Sequence, residues 1–227
     1  MSAGETGPAD EQAADKSPSV RTTLALARHG ETVWHHDNRY AGGGSDIDLT
    51  PRGRAQARQL AAWSLRERPD VIVSSPVRRA RETAAPAAEA LGQDVLVLDG
   101  LREVDFGLAE GRTIEELIDI DAGMVSRFRA DPQAHPFPGS EKPEAAAERA
   151  AEALRGLAER FPDRRVLVVA HNTLLRLALC RLLGLSVSRY RTVFPRLENA
   201  AITEITISSD PDEPAALLSL NVRQETS

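Results

Sequence analysis

Two histidines, a set of arginines and a few carboxylic acids occupy positions in this chain where they could handle a phosphoryl group. Arg28-His29, Ser75-Pro76, Glu103 and His171 each fall at, or just past, the carboxyl end of a short apolar run. A neutral imidazole can attack phosphorus in line and carry the group on a ring nitrogen. Planar guanidinium forks match the paired oxygens of a phosphate dianion. A carboxylic acid can protonate a departing oxygen and later take a proton from water. The residues alone leave alternatives open. Arg78, Arg79 and Arg81 all lie off the apolar stripe Ala80, Ala84, Ala87 and Leu91, while Glu31, Asp105 and Glu110 compete with Glu103.

Positioning such groups requires alternating strands and helices. Strands are expected at Thr23 to Arg28, Val71 to Ser74, Val95 to Leu98, Val166 to Ala170 and Ala201 to Ile207, with Ala215 to Asn221 as an edge strand. Helices are expected from Thr50-Pro51 onward, where Thr caps and Pro fills the first helical position, and over Val77 to Leu91, Thr113 to Ile120, Lys142 to Arg160 and Thr173 to Leu183. The pattern predicts an α/β fold: a single three-layer domain with a mostly parallel central sheet flanked by helices. In such sheets ligands bind outside the carboxyl ends of the strands, where loops and helix amino termini converge. The four polar positions are therefore expected to share one pocket.

Residues 1–20 are rich in small and acidic residues without apolar periodicity and are expected to be a disordered acidic tail; the domain then spans 21–222, and 223–227 form a C-terminal tail. The chain of 227 residues has a formal net charge of -6, which gives no general attraction for nucleic acid or an anionic membrane. Neither a signal peptide nor a membrane span is evident, so a cytoplasmic protein is expected. Cys180 is the sole cysteine, which rules out an intramolecular disulfide, and its apolar setting makes it a buried helix residue. Nothing in the sequence fixes the oligomeric state, and a homodimer is allowed.

The segments quoted next resemble those of the histidine phosphatase superfamily, also called the phosphoglycerate mutase-like family, over most of the chain from Leu24 to about Ile207. Arg28-His29-Gly30-Glu31-Thr32 is similar to the nucleophile motif and is followed by Arg39-Tyr40 and Leu49-Thr50-Pro51-Arg52-Gly53. Ser74 to Ala84 is similar to the block that supplies a phosphate-binding arginine, Leu101 to Gly107 with Glu110-Gly111 resembles the acid-bearing block, and Val168-Val169-Ala170-His171 matches the second histidine block.

That resemblance implies a phosphohistidine mechanism with His29 as nucleophile, Arg28 and Arg79 holding phosphoryl oxygens, Glu103 as proton donor and acceptor, and His171 as a donor to phosphate. It selects Arg79 because the family's arginine directly precedes an alanine. Thr32, His35, Arg39 and Asn172 are further candidates for contact with phosphate or substrate. Two positions depart from the commonest pattern: His35 stands where asparagine is frequent, and Asn172-Thr173 replace the glycines that often follow the second histidine. His35 and His36 read equally well as pocket residues or as a solvated pair. The Gly42-Gly43-Gly44 run lacks the strand before and the Gly-Lys-Ser/Thr after that a phosphate loop needs, so it is expected to be a turn. Arg28 beside His29, with no close His-x-x-x-His spacing, argues against a metal, and no cofactor is implied. The short stretch from Gly111 to Phe137-Pro138-Gly139-Ser140-Glu141 favours the phosphatase branch over the mutases, which carry a longer insertion. The partner is then a small phosphate ester. A cofactor-dependent phosphoglycerate mutase and a non-catalytic phosphate-binding module are the alternatives.

Overall fold

The computed structural model describes residues 20–210 and 213–224; the acidic tail, apart from Val20, and residues 225–227 lie outside the described residues. Six strands form one sheet in the order β3-β2-β4-β1-β5-β6. They span Arg21–Arg28 (β1), Val71–Ser74 (β2), Val95–Val97 (β3), Arg165–Ala170 (β4), Ile202–Ser208 (β5) and Ala216–Val222 (β6). β1, β2, β3 and β4 run parallel, while β5 and β6 pair antiparallel at one side.

Side chains that alternate along β1 feed two cores. Leu24 and Leu26 pack with Val166, Val168 and the apolar faces of α4 (Pro143–Arg160) and α5 (Asn172–Leu182). Ala25 and Ala27 face the other way, with Ile72, Leu167 and Val169, toward α1 (Pro51–Glu67) and α2 (Arg78–Leu91). The small alanines let these two helices lie close to the sheet. Three layers result, as the alternation of strand and helix patterns predicts.

The helix starts follow local chemistry. Thr50 Oγ1 accepts from the Gly53 amide at 3.0 Å and Pro51 takes the first helical position. α2 stops where Gly92 adopts φ 64°, a left-handed conformation that costs glycine nothing.

One helix is longer than its sequence suggests. α3 spans Ile114–Ala130, ten residues past the expected end, because the chain breaks at Asp121 (φ -160°, ψ 97°) and restarts as Asp121 Oδ1 accepts from the Met124 amide at 2.9 Å. The second half buries Met124, Val125 and Phe128 against Leu117 and Phe137 in a satellite core that Tyr40 and Phe106 join. Gly123 and the acids around it conceal this helix in the sequence. A further short turn, Tyr190–Val193, is likewise unsignalled.

Strand register fixes the geometry of the site. Arg28 pairs with Ala170 across β1 and β4, and Ser74 with Val169 across β2 and β4. The residues that follow, His29, Ser75 and His171, are thereby set side by side at one sheet edge.

Candidate active site

His29 is 4% exposed and lies with its ring centroid 5.2 Å from that of His171. Its Nδ1 is 2.7 Å from the Gly30 carbonyl, which can only accept, so the proton sits on Nδ1 and the lone pair on Nε2. Arg79 Nε donates to that Nε2 at 3.2 Å. Burial, then the charge of Arg79, the neighbouring His171 and the charge of Arg28, hold the His29 pKa well below its ordinary value and keep the ring neutral. Gly30 and Gly53 allow the loop after β1 to meet the first turn of α1 here: a Cβ on Gly30 would stand 2.6 Å from the Gly53 carbonyl oxygen.

The three α2 arginines differ in burial. Arg79 is fully buried beside Ala80 and Thr83, Arg78 pairs with Asp46, Asp48 and Glu82, and Arg81 is exposed. The rest of the Arg79 guanidinium is enclosed by carbonyls, Nη1 on Ser45 at 2.9 Å and Nη2 on Ala41 and Gly42 at 3.1 Å each. The glycine run thus turns carbonyls toward the site, which suits a cation and not an anion.

His171 begins α5 as its N-cap residue, without a side-chain cap bond. Its Nε2 lies 2.7 Å from Ser75 Oγ, and that oxygen also accepts from the Val77 amide at 3.2 Å. Among the described residues Nε2 is the acceptor within reach of the Ser75 hydroxyl proton, which assigns the Ser75 donor to Nε2 and the His171 proton to Nδ1. Nδ1 of His171 and Nε of Arg28 are both buried without a hydrogen-bond partner, two donors awaiting acceptors on either side of His29. Replacing Ser75 by alanine frees the other tautomer. We expect kcat to fall about tenfold while KM and fold are little changed; steady-state kinetics check this, and an unaltered kcat contradicts it.

Glu103 takes the place at the α5 start that a capping side chain would fill. Its Oε1 accepts from Leu174 N at 2.9 Å and from Val104 N at 3.0 Å, and its Oε2 from Thr173 N at 3.1 Å. Burial pushes its pKa up against the opposing pull of those N–H groups and of Arg79. Arg149, bound to Glu141, pins the loop through the Gly100 and Arg102 carbonyls at 2.9 and 3.0 Å.

Arg28 donates to the Leu197 carbonyl at 2.9 Å and to His35 Nε2 at 2.6 Å, and burial lowers its pKa to about 10. His35 is a built part of the site, whereas His36 is exposed. Asn199 Nδ2 also points at His35 Nε2, at 3.3 Å, while the Thr32 amide donates to Nδ1 at 3.0 Å beside Thr32 Oγ1 at 2.8 Å, so donors face both ring nitrogens. Burial first and Arg28 next bring the His35 pKa down to about 4. An unfolded His35 takes its proton near pH 6.5, so the folded protein binds fewer protons between there and about 4 and loses stability as pH falls through this window. The buried His29 and His171 act with the same sign. The melting temperature should drop on acidification from pH 7 to 4.5, and less steeply in His35→Asn. Parallel slopes for the two proteins would refute the assignment.

A cavity of about 310 Å³ opens beside His29, lined also by Arg28, Thr32, His35, Glu103 and Asn172. Asn172 Oδ1 holds the Leu197 amide at 3.1 Å. Arg39 lines the mouth with Nη1 committed to the Gly111 carbonyl at 2.8 Å and to Glu116. Arg79 and His171 are fully buried, each against the His29 ring, and do not themselves line the cavity. Among the described residues no group of three His, Cys, Asp or Glu is arranged to hold a metal ion, and no helix is long and apolar enough to cross a membrane.

Several site residues carried no sequence signal. Asn199, in an irregular loop, donates to the His29 carbonyl at 2.8 Å, and Thr83 accepts from Gly30 N at 2.9 Å. Arg176 could have been found as the one charge amid Leu174, Leu175, Leu177 and Ala178.

A parallel sheet edge that sets two neutral histidines among buried arginines and one carboxyl group defines a protein that handles phosphate esters. The chain belongs to the histidine phosphatase superfamily, branch 1, whose family model matches residues 24–219. It is 35% identical over 167 residues to phosphoserine phosphatase 1 of Hydrogenobacter thermophilus, covering 74% of this chain and 79% of that one. It is 33% identical over 180 residues, 79% of this chain and 82% of the other, to a Salmonella paratyphi C protein named "Probable phosphoglycerate mutase GpmB". The crystal structure of Entamoeba histolytica phosphoserine phosphatase in complex with 3-phosphoglyceric acid superposes with a TM-score of 0.78 at 29% identity, covering 89% of this chain and 98% of that one.

Proposed function

We propose that this chain hydrolyses a phosphomonoester of a small metabolite through a phosphohistidine on His29 Nε2. The observation that carries the reading is the state of that ring: neutral, with its proton fixed on Nδ1 by the Gly30 carbonyl and its Nε2 lone pair held by Arg79 Nε–H alone, with Arg28 and His171 close by. In the first step Arg79 Nε–H turns from Nε2 to a phosphoryl oxygen, and the imidazole attacks phosphorus in line. The P–O ester bond breaks, and the departing oxygen takes the proton of the Glu103 carboxyl group, which burial keeps protonated to higher pH. Arg28 Nε–H and His171 Nδ1–H, unpartnered in the free protein, bond the remaining oxygens and stabilise their charge in the transition state. In the second step water attacks phosphorus, gives its proton to the Glu103 carboxylate, and the N–P bond breaks to release phosphate.

A cavity of about 310 Å³ suits a small metabolite, with neither nucleic acid nor a membrane surface in the reaction. We keep the cytoplasm as the expected location. The resemblance to a mutase-named relative supports a second reading, in which the phosphoryl group returns to another hydroxyl of a bound sugar acid. Incubation with 3-phosphoglycerate and its bisphosphate primer separates the two: free phosphate is expected, and 2-phosphoglycerate in its place would overturn hydrolysis.

A further inference from the structure

The acid-bearing block holds a second carboxylate that takes no part in the proton transfers. Glu110 ends the short turn Gly107–Ala109 and does not line the cavity beside His29. Its carboxylate instead grips the loop that encloses Arg79. Oε1 accepts from the Gly42 amide at 2.8 Å and from the Ser45 hydroxyl, and Oε2 accepts from the same amide at 3.1 Å. Gly42 and Ser45, with Ala41, are the residues whose carbonyls hold the Arg79 guanidinium. The peptide between Ala41 and Gly42 joins the two sets of contacts. A planar trans peptide points its N–H and C=O in opposite directions, so the bond from Gly42 N to Glu110 aims the Ala41 carbonyl at Arg79 Nη2. Glu110 is itself held in place by a backbone bridge to Tyr40: Gly111 N donates to the Tyr40 carbonyl at 2.9 Å and Tyr40 N to the Arg112 carbonyl at 3.0 Å. Gly42 is needed here for room and not for backbone freedom, since its φ is not left-handed. A Cβ on it would stand 2.7 Å from the Val104 carbonyl oxygen and closer still to Glu110 Oε2.

A guanidinium held by loop carbonyls keeps its direction only as long as the loop does. Residues 41–48 lie outside every strand and helix, so no ladder of backbone bonds stiffens the stretch that carries those carbonyls. Arg79 must nevertheless aim Nε–H at His29 Nε2 and then at a phosphoryl oxygen, and misplacing such a donor by about 1 Å costs about 100-fold in rate. We infer that Glu110 is a positioning residue for phosphoryl transfer, which orients Arg79 by clamping the turn from Gly42 to Ser45. The two acids of the block then divide the work: Glu103 moves the proton on the cavity wall, and Glu110 sets the arginine from outside it. This rests on the phosphatase reading for turnover, though not for the orientation of Arg79.

The test is a double-mutant cycle of Glu110→Ala with Arg79→Gln. Glu110→Ala should lower kcat about 10- to 100-fold on an ester the native protein hydrolyses, and less than about threefold when residue 79 is already glutamine. Equal losses in the two backgrounds would show loop damage that does not act through Arg79, and would overturn the inference. Glu110→Gln keeps an Oε1 for the Gly42 amide and the Ser45 hydroxyl, so it should stay within about threefold of native kcat. A glutamine as damaging as alanine would contradict the clamp. Should Glu110→Ala not fold, Ser45→Ala removes one clamp bond while keeping the Ser45 carbonyl, and the same pattern is expected at smaller amplitude: a loss in the native background and none beside Arg79→Gln. A second readout needs no turnover. His29 is faced by Arg79, His171, Arg28 and His35, and of these Arg79 is the one the clamped loop holds. Deleting a carboxylate by itself favours the neutral imidazole, whereas releasing the Arg79 cation favours the protonated one. Ring ¹⁵N shifts of His29 should therefore show protonation at higher pH in Glu110→Ala than in the native protein, approaching that in Arg79→Gln. An unchanged or lower midpoint would overturn the inference. If no ester is turned over, the phosphatase reading fails, and these shifts still decide the role of Glu110.

Discussion

Alanine in place of His29 should lower kcat by about 10,000-fold or more on any ester the native protein hydrolyses, because the covalent route disappears with the nucleophile and only binding and electrostatic terms survive. The fold should persist. His29 lines the cavity, so water can reach the Gly30 carbonyl and Arg79 Nε that lose their partner, and an imidazole deleted at a wet wall leaves no sealed void. A loss of stability of only about 1–2 kcal/mol is expected. Steady-state kinetics with a thermal melt measure both quantities. Retention of more than about a hundredth of native activity in a folded His29→Ala protein would remove His29 from the chemistry.

Arg79 is expected to show the second largest effect, and one that separates charge from geometry. Losing its fork should reduce kcat by about 100- to 1,000-fold, the range for a donor aimed at developing charge in a dry site. Arg79→Gln should also move the acid limb of the pH profile. Burial is the main reason the His29 pKa is low, and the Arg79 charge is the next. Without that charge the imidazole protonates at higher pH, so activity on the acid side is lost sooner as pH falls. Arg79→Lys keeps a cation but cannot reach Nε2 and three carbonyls with one planar group, so its acid limb should stay near native while kcat remains low. Coincident acid limbs for the native protein and Arg79→Gln would contradict the electrostatic part of the account. Both variants leave the Ala41, Gly42 and Ser45 carbonyls short of donors, so a lower melting temperature is expected in each.

Much of this architecture is legible in the sequence. Branched and apolar runs at Val71–Ser74 and Arg165–Ala170 have no other use than buried parallel strands, and Thr50-Pro51 announces a helix start through its capping oxygen and missing N–H. Register then does what sequence spacing cannot. Residues 29, 75 and 171 are far apart in the chain, yet hydrogen-bonded ladders bring them to one edge. The second half of α3 was not legible, since Asp121 and Gly123 break the helical pattern while tertiary packing of Met124, Val125 and Phe128 overrides it. Arg79 shows the same limit at a single residue: its helical phase places it off the apolar stripe, but the carbonyls of a distant loop make a buried position hospitable to a cation. His35 was balanced between pocket and solvent in the sequence, and only the Arg28 and Asn199 donors that converge on its Nε2 decide between them. Loop residues such as Asn199 leave no periodic trace, because irregular backbone has none to give.

The central claim is a phosphoryl group held covalently on Nε2 of His29. Rapid acid-free quenching of the protein with a ³²P-labelled ester it turns over, followed by peptide mapping, tests it directly. The account predicts a label that is lost in acid and stable in base, lies on the peptide containing His29, and is absent from His29→Ala. A label that resists acid, maps to Ser75 or His171, or survives in His29→Ala would contradict it, as would turnover in which no labelled protein accumulates under conditions that trap phosphohistidine.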